Sequence, residues 1–315
     1  MTTKNESESN VTDPAHGQDL GAAAALFNRV RPRLFGIAYR MLGSVNDAED
    51  IVQDAWLRWQ SYEDRDAVRN PEAFLATTTT RIAINLAQSA RARHETYVGP
   101  WLPEPVDTSQ DPALGAERAE ALEFAVLLIL EKLSPTERAA YVLREAFDYP
   151  YPQIAEIIQA TEPTARQLVS RARKRIKAER RKPVASQEQQ RLLEAFVAAA
   201  RSGDLSTLEQ LLAADVVSYS DGGGVVRASR IPVFGRERVA KYVRAFADRF
   251  WEGVRVSQIQ ANGQASVVLS RNDEEFPFAI VTVTVSLQGI NQVLWMMNPE
   301  KLGGIVVTNP GAARS

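Results

Sequence analysis

The chain contains no cysteine and only two histidines, His16 and His94, among its 315 residues. The first absence excludes disulfide scaffolds, cysteine–zinc sites and thiol catalysis, and fits a reducing cytoplasm. No apolar run reaches the ~18 residues that a membrane-spanning helix needs. The polar start, TTKNESESNVTDPAHGQ, also lacks the apolar stretch of a signal peptide. A soluble cytoplasmic protein without membrane, metal or cofactor is therefore expected. Neither sign of charge prevails, the net charge being −2, so the total does not announce a nucleic-acid binder. What remains is ordinary globular material, 45% hydrophobic and 24% charged, long enough for two or three domains.

Charge is uneven along the chain. Arg166, Arg171, Arg173, Lys174, Arg175, Lys177, Arg180, Arg181 and Lys182 stand against a single acid, Glu179, in one short stretch. Local charge of this kind is the footprint of nucleic-acid binding.

The first two thirds read as helices. Ala22 to Leu42 is apolar-periodic, with Pro32 as a kink or joint. Asn46, with Glu49 as a capping-box partner, opens a helix to about Trp59. The polar loop Ser61 to Asn70 follows, and Pro71 starts a helix to about Arg93. Tyr97 to Pro112, YVGPWLPEPVDTSQDP, is a proline-restrained linker, and its Trp101 and Leu102 are expected to dock on a domain surface. Ser134-Pro135-Thr136-Glu137 combines an N-cap, a first-turn proline and a capping-box glutamate. A short helix over Gln153 to Gln159, a turn at Ala160-Thr161 and a basic helix from Glu162 form a helix-turn-helix.

After Pro183 the grammar changes. Two helices, Glu188 to Arg201 and Leu205 to Leu212, precede a hairpin of Val216 to Ser220 and Val225 to Ala228 across Gly222-Gly223-Gly224. Arg236 to Phe250 is an amphipathic helix, and Val254 to Ile259, Ala265 to Ser270, Phe278 to Leu287 and Gln292 to Met297 are strands. The boundaries are a disordered tail at 1–20, a helical domain at 21–95, the linker at 96–112, a second helical domain at 113–182 and an α+β domain at 186–310.

Two helices carry the functional pattern. In DAEDIVQDAWLRW, Asp47, Asp50 and Asp54 share one stripe, whereas Ala48, Val52, Ala55, Trp56 and Trp59 form the core side. The acidic stripe is either a solvated face or a surface for a basic partner. In the basic helix, Ala165, Leu168, Val169, Ala172 and Ile176 face inward, leaving Arg166, Ser170, Arg173, Lys174 and Lys177 outside. An α-helix fits the major groove, with base-reading residues near its N-terminus: Thr164, Arg166, Gln167, Ser170 and Arg171. A solvated basic helix would show the same spacing.

Together these motifs resemble the sigma-70 family of transcription initiation factors, extracytoplasmic-function type. DAEDIVQDAWLRW resembles the region that grips the RNA polymerase clamp, RNPEAFLATTTTRIAINLAQSARAR the region that melts and reads the minus-ten element, and LSPTERAAYVLREAFDYPYPQIAEIIQATEPTARQLVSRARKRIK the domain that binds the minus-thirty-five element. The resemblance implies polymerase contacts at Asp47, Asp50, Gln53, Asp54 and Leu57. It implies minus-ten contacts among Arg81, Asn85, Gln88, Ser89, Arg91 and Arg93, and adds Arg173, Lys174 and Lys177 to the minus-thirty-five contacts, the lysines near the helix C-terminus holding phosphates. Core RNA polymerase, through its beta-prime clamp and beta flap, and promoter DNA are the implied partners. Leu168 departs from the family, where many members have arginine.

The remaining motifs look like those of sigma factors with a fused SnoaL-like domain of the nuclear transport factor 2-like fold, a cone-shaped curved sheet. They are YVGPWLPEP, with Trp101 and Leu102; Asp221-Gly222-Gly223-Gly224; and Asn298-Pro299-Glu300-Lys301-Leu302. Val225 departs from the subgroup's usual lysine, whose contact Arg227 could replace. The implied fold is thus two all-α domains and an α+β domain that regulates them in cis, with no separate anti-sigma protein required. The competing reading is a DNA-binding ligand sensor or cavity enzyme that does not recruit polymerase. Phe250, Trp251, Phe278 and Trp295 could line its cavity, and without a local histidine Asp221 would have to serve as acid or base.

Overall fold

The computed structural model describes residues 14–108, 123–181, 184–271 and 276–305, with backbone alone for 14–19 and 91–95. Parts of the expected tail, the linker's end and the side chains of Arg91 and Arg93 lie outside this set.

The first helical domain consists of α1 (Pro14–Leu42), α2 (Val45–Gln60) and α3 (Pro71–Glu95). Helix α1 starts within the segment expected as a tail, and Pro32 lies inside it rather than dividing it. Buried residues C-terminal to the proline, including Leu34, Ile37, Ala38 and Met41, hold that side of the helix in the core. Helix α2 is capped by Ser44, not Asn46: Ser44 Oγ accepts the Asp47 amide at 3.2 Å, while Glu49 pairs with Arg31 at 2.5 Å. The earlier serine wins because Gly43, at φ +65°, turns the chain there.

The second domain is α4 (Phe124–Leu130), α5 (Pro135–Glu145), α6 (Tyr151–Ile157) and α7 (Glu162–Glu179). Ser134 and Glu137 form both halves of the capping box on α5. Ala165, Leu168, Val169, Ala172 and Ile176 are buried along α7. Leu168 thus belongs to the core, and its departure from the family lies off the solvent face. The two domains share one apolar core, from Leu34 and Phe35 of α1 to Leu143 and Phe147 at the end of α5.

The last domain packs α8 (Ser186–Ser202), α9 (Leu205–Leu211) and α10 (Arg236–Ala245) on a six-stranded mixed sheet. The strands are β1 (Leu212–Asp221), β2 (Val233–Phe234), β3 (Val254–Ala261), β4 (Gln264–Arg271), β5 (Pro277–Ser286) and β6 (Gly289–Met296), in the order β2-β1-β6-β5-β4-β3. Among the described strands only the β1–β6 ladder is parallel.

Two local expectations fail in this last domain. Val225 to Ala228 is not a strand: the Val225 and Val226 amides turn back to Gly222 O, and β1 pairs with Val233–Phe234 instead. The helix expected over Arg236 to Phe250 breaks at Phe246, which caps α10 and precedes a short α11 (Ala247–Phe250).

Strand β5 is buried on both faces of the sheet. Val281, Val283 and Val285 join the core beneath α8 and α10, whereas Ile280 joins Val268, Leu294 and Met296 in a second cluster that receives Leu102 of the linker and Phe124 of α4. Where a hollow cone was considered, Phe250 packs edge-on against Trp251, Phe278 and Trp295 at centroid distances of 5.1, 5.6 and 5.7 Å.

Candidate polymerase and nucleic-acid surfaces and the junction that joins them

On α2, Asp50, Gln53, Asp54 and Leu57 are exposed and Asp47 is half-buried. Among the described residues Asp50 and Asp54 meet no cation, so their charge is available to a basic partner. Leu57 leaves 51% of its surface in water beside them, an apolar contact ready for desolvation.

On α7 all eight expected DNA contacts, Thr164, Arg166, Gln167, Ser170, Arg171, Arg173, Lys174 and Lys177, face solvent. Three arginines already hold carboxylates. Arg166 takes Glu162 with two nitrogens and lies 4.3 Å from the Tyr151 ring centroid; Arg173 takes Glu145; Arg171 approaches Glu137 at 3.2 Å. Exposed pairs of this kind contribute ~0–1 kcal/mol, so a phosphate or guanine edge can displace them. Lys174 and Lys177 have no anionic partner among the described residues.

The face expected to meet the minus-ten element is less open. Asn85, Gln88 and Ser89 are exposed on α3, but Arg81 donates from Nε to Ile157 O at 3.1 Å and from Nη2 to Glu156 O at 2.9 Å, both on α6. The groove between them, about 570 Å³, is lined by Arg58, Asn70, Phe74 and Thr77 from the first domain and Gln153 and Glu156 from the second. Thr79 and Thr80 are fully buried and belong to packing. Two more arginines lock the domains together. Arg33 donates to Phe147 O at 2.9 Å and stacks on Phe147 and Tyr149, while Arg138 donates to Met41 O at 2.5 Å.

The linker runs through a buried junction. Asp221, at the end of β1 and fully buried, accepts from Tyr97 Oη at 2.6 Å, the Leu102 amide at 2.9 Å and the Gly223 amide at 3.1 Å. Lys301 Nζ completes the set at 2.8 Å and also donates to Leu102 O at 2.6 Å. Its ammonium lies over the rings of Trp101 and Tyr97 at 4.3 and 5.2 Å. Burial lowers the Lys301 pKa, with Asp221 opposing; burial, then the Asp221 hydrogen bond, raises that of Tyr97. Asn298 donates to Tyr97 Oη at 2.9 Å and caps the turn in which Pro299 is exposed. A Cβ on Gly223 would lie 2.5 Å from the Asn298 side chain, so only glycine fits. Gly222 is closed off likewise by Val226 O, and Gly224 rests near Val98. The cation on Asp221 is thus Lys301, while Arg227 is exposed.

The same linker is fixed to α1 and α2. Tyr39 Oη donates to Glu104 O at 2.6 Å and accepts from Asn262 Nδ2 at 2.7 Å, joining the first domain directly to the β3–β4 turn. Asn262 also accepts the Val106 amide at 2.9 Å. Glu104 is buried, which raises its carboxyl pKa against the pull of the Val45 amide. The second domain is tied to the sheet by the Phe124 amide on Gln264 at 3.2 Å and by Arg181 on Asp215 and Gln288.

Sequence reasoning missed Tyr39, Tyr97, Glu104, Asn262 and Gln264. The Asn262-Gly263 pair is a recognisable hairpin signal, but nothing in it shows that the asparagine side chain would hold a linker.

A helical pair with a helix-turn-helix second member, tied to a curved mixed sheet, defines the class. Residues 26–93 match the model for Sigma-70 region 2 and residues 123–176 that for Sigma-70, region 4. The chain is 38% identical over 237 residues to ECF RNA polymerase sigma factor SigJ of Mycobacterium tuberculosis, covering 72% of this chain and 74% of the relative. It is 34% identical to the probable ECF RNA polymerase sigma factor SigI of that species, over 66% and 74%. The crystal structure of SigJ superimposes with a TM-score of 0.71 at 31% identity, covering 89% of this chain and 98% of that one. The chain belongs to the extracytoplasmic-function sigma factors of the sigma-70 family.

Proposed function

We propose that the chain directs core RNA polymerase to specific promoters and that its C-terminal SnoaL-like domain restrains it in cis. The observation that carries this reading is the linker. Leu102 has its amide on Asp221 and its carbonyl on Lys301, while Glu104, two residues on, is bonded to α2.

The acidic face of α2 engages the polymerase clamp; Asn85, Gln88, Ser89, Arg91, Arg93 and, once released, Arg81 meet the minus-ten element; the exposed face of α7 reads the minus-thirty-five element. Elements about 25 base pairs apart span roughly 85 Å at ~3.4 Å per base pair. Arg81 lies 2.9 Å from Glu156 O, so engaging both elements requires the two helical domains to part. The C-terminal domain holds each of them, through the linker and Asn262 on one side and through Gln264 and Asp215 on the other. A domain attached this way supplies the restraint itself, and no separate anti-sigma protein is required. Asp221, the carboxylate considered for acid–base chemistry, is occupied by four donors, which favours a regulatory over an enzymatic domain.

The test is single-round transcription with reconstituted polymerase. Trp101→Ala in the full chain should raise initiation several-fold at saturating polymerase; wild-type rates would contradict the restraint.

A further inference from the structure

Helix α2 opens with amides that its own turn cannot satisfy. Ser44 Oγ takes the Asp47 amide. The Glu104 carboxylate, 59 residues beyond Val45, takes the Val45 amide at 2.7 Å, and the neighbouring Asn46 amide also favours its charged form. An anion is favoured at this end of a helix by the aligned peptide dipoles. Glu104 is fixed at its backbone too, its amide on Gly43 O at 2.7 Å and its carbonyl on Tyr39 Oη. Trp101 closes the corner, since a Cβ on Gly43 would lie 2.6 Å from its ring. All these contacts converge on the bend between α1 and α2, and that bend sets where Asp50, Gln53, Asp54 and Leu57 point.

We infer that Glu104 is a positioning residue for polymerase binding: the docked linker fixes α2 through this carboxylate, giving the C-terminal domain a hold on polymerase capture distinct from its restraint on promoter engagement. The inference rests on reading α2 as the polymerase-gripping helix. It assigns the linker two separable effects. Through Glu104 it supports capture of polymerase, and through Asp221 and Lys301 it restrains the step that follows.

The experiment uses the full chain carrying Glu104→Ala, Glu104→Asp or Glu104→Gln, with Asp54→Lys as the check on α2 itself. Affinity for core polymerase and amide hydrogen exchange at Val45 and Asn46 are measured together. Glu104→Ala should weaken binding about fivefold, the scale of a lost helix cap. It should also speed exchange at Val45 and Asn46 while Ala55 stays protected. Glu104→Gln, which keeps an acceptor oxygen of the same reach, should recover binding to within about twofold. Should the alanine variant not fold, Glu104→Asp, with its shorter reach, must lose protection and affinity together. Faster exchange with undiminished binding overturns the inference, as does a glutamine variant as weak as the alanine one. Undiminished binding by Asp54→Lys would instead overturn the reading of α2.

Discussion

Lys301 Nζ lies 2.8 Å from Asp221 Oδ2, with 11% of the lysine side chain and none of the aspartate exposed. Removing one partner of such a pair leaves a buried charge uncompensated, at a cost of about 3–5 kcal/mol. Lys301→Met should therefore lower unfolding stability by that order in a denaturant titration, and a loss below about 1 kcal/mol would contradict the assignment. Stability should also depend on pH with a definite sign. Burial lowers the Lys301 pKa, so between that value and the ordinary ~10.4 the unfolded chain binds more protons. Wild-type stability should gain a rising contribution with pH across this window, and Lys301→Met should lack it.

If α2 is the polymerase-gripping helix proposed above, capture should depend on the charge of its exposed carboxylates. Asp50→Lys with Asp54→Lys should abolish core-polymerase binding in a pull-down. Melting temperature should stay nearly constant, because both carboxylates are exposed and unpaired among the described residues. Retained binding would remove this helix from the polymerase interface.

Promoter readout should separate two kinds of basic residue on α7. Arg166→Ala and Arg171→Ala should each weaken promoter binding by about 1–3 kcal/mol with relaxed specificity, after allowing for their weak pairs with Glu162 and Glu137. Lys177→Ala should weaken all sequences alike and reduce the salt slope by about 1. Identical behaviour of the three would make α7 an electrostatic patch only.

Arg33 offers a way to loosen the closed form without touching α7 or the linker. Its hydrogen bond to Phe147 O and its stacking on Phe147 and Tyr149 are lost in Arg33→Ala, a change of about 1–2 kcal/mol. Small-angle scattering should show a larger radius of gyration for the free protein, and promoter affinity of the holoenzyme should rise. An unchanged radius would show that these contacts do not hold the two domains together.

Much of this was legible in the sequence because it is local. The Ser134–Glu137 capping box and the inward set from Ala165 to Ile176 each follow from short-range spacing. Trp101 and Leu102 betrayed their docking by being too apolar for a solvated linker. What the sequence hid is the pairing of distant groups. Nothing near Glu104 indicates that it caps a helix 59 residues away, and nothing near Arg81 that its partners are carbonyls of α6. The hairpin expected after Asp221 failed for the same reason: β6, not Val225 to Ala228, offers β1 its longer ladder. Ser44 outcompeted Asn46 because the turn at Gly43, packed under Trp101, fixes where α2 starts.

Restraint by an attached domain is tested most directly by initiation itself. In a single-round assay at saturating core polymerase, the full chain would be compared with Trp101→Ala and with a chain ending near Pro183. The account predicts several-fold faster initiation by the shortened chain, and part of that gain from Trp101→Ala. Equal initiation by all three at every promoter tested would contradict it.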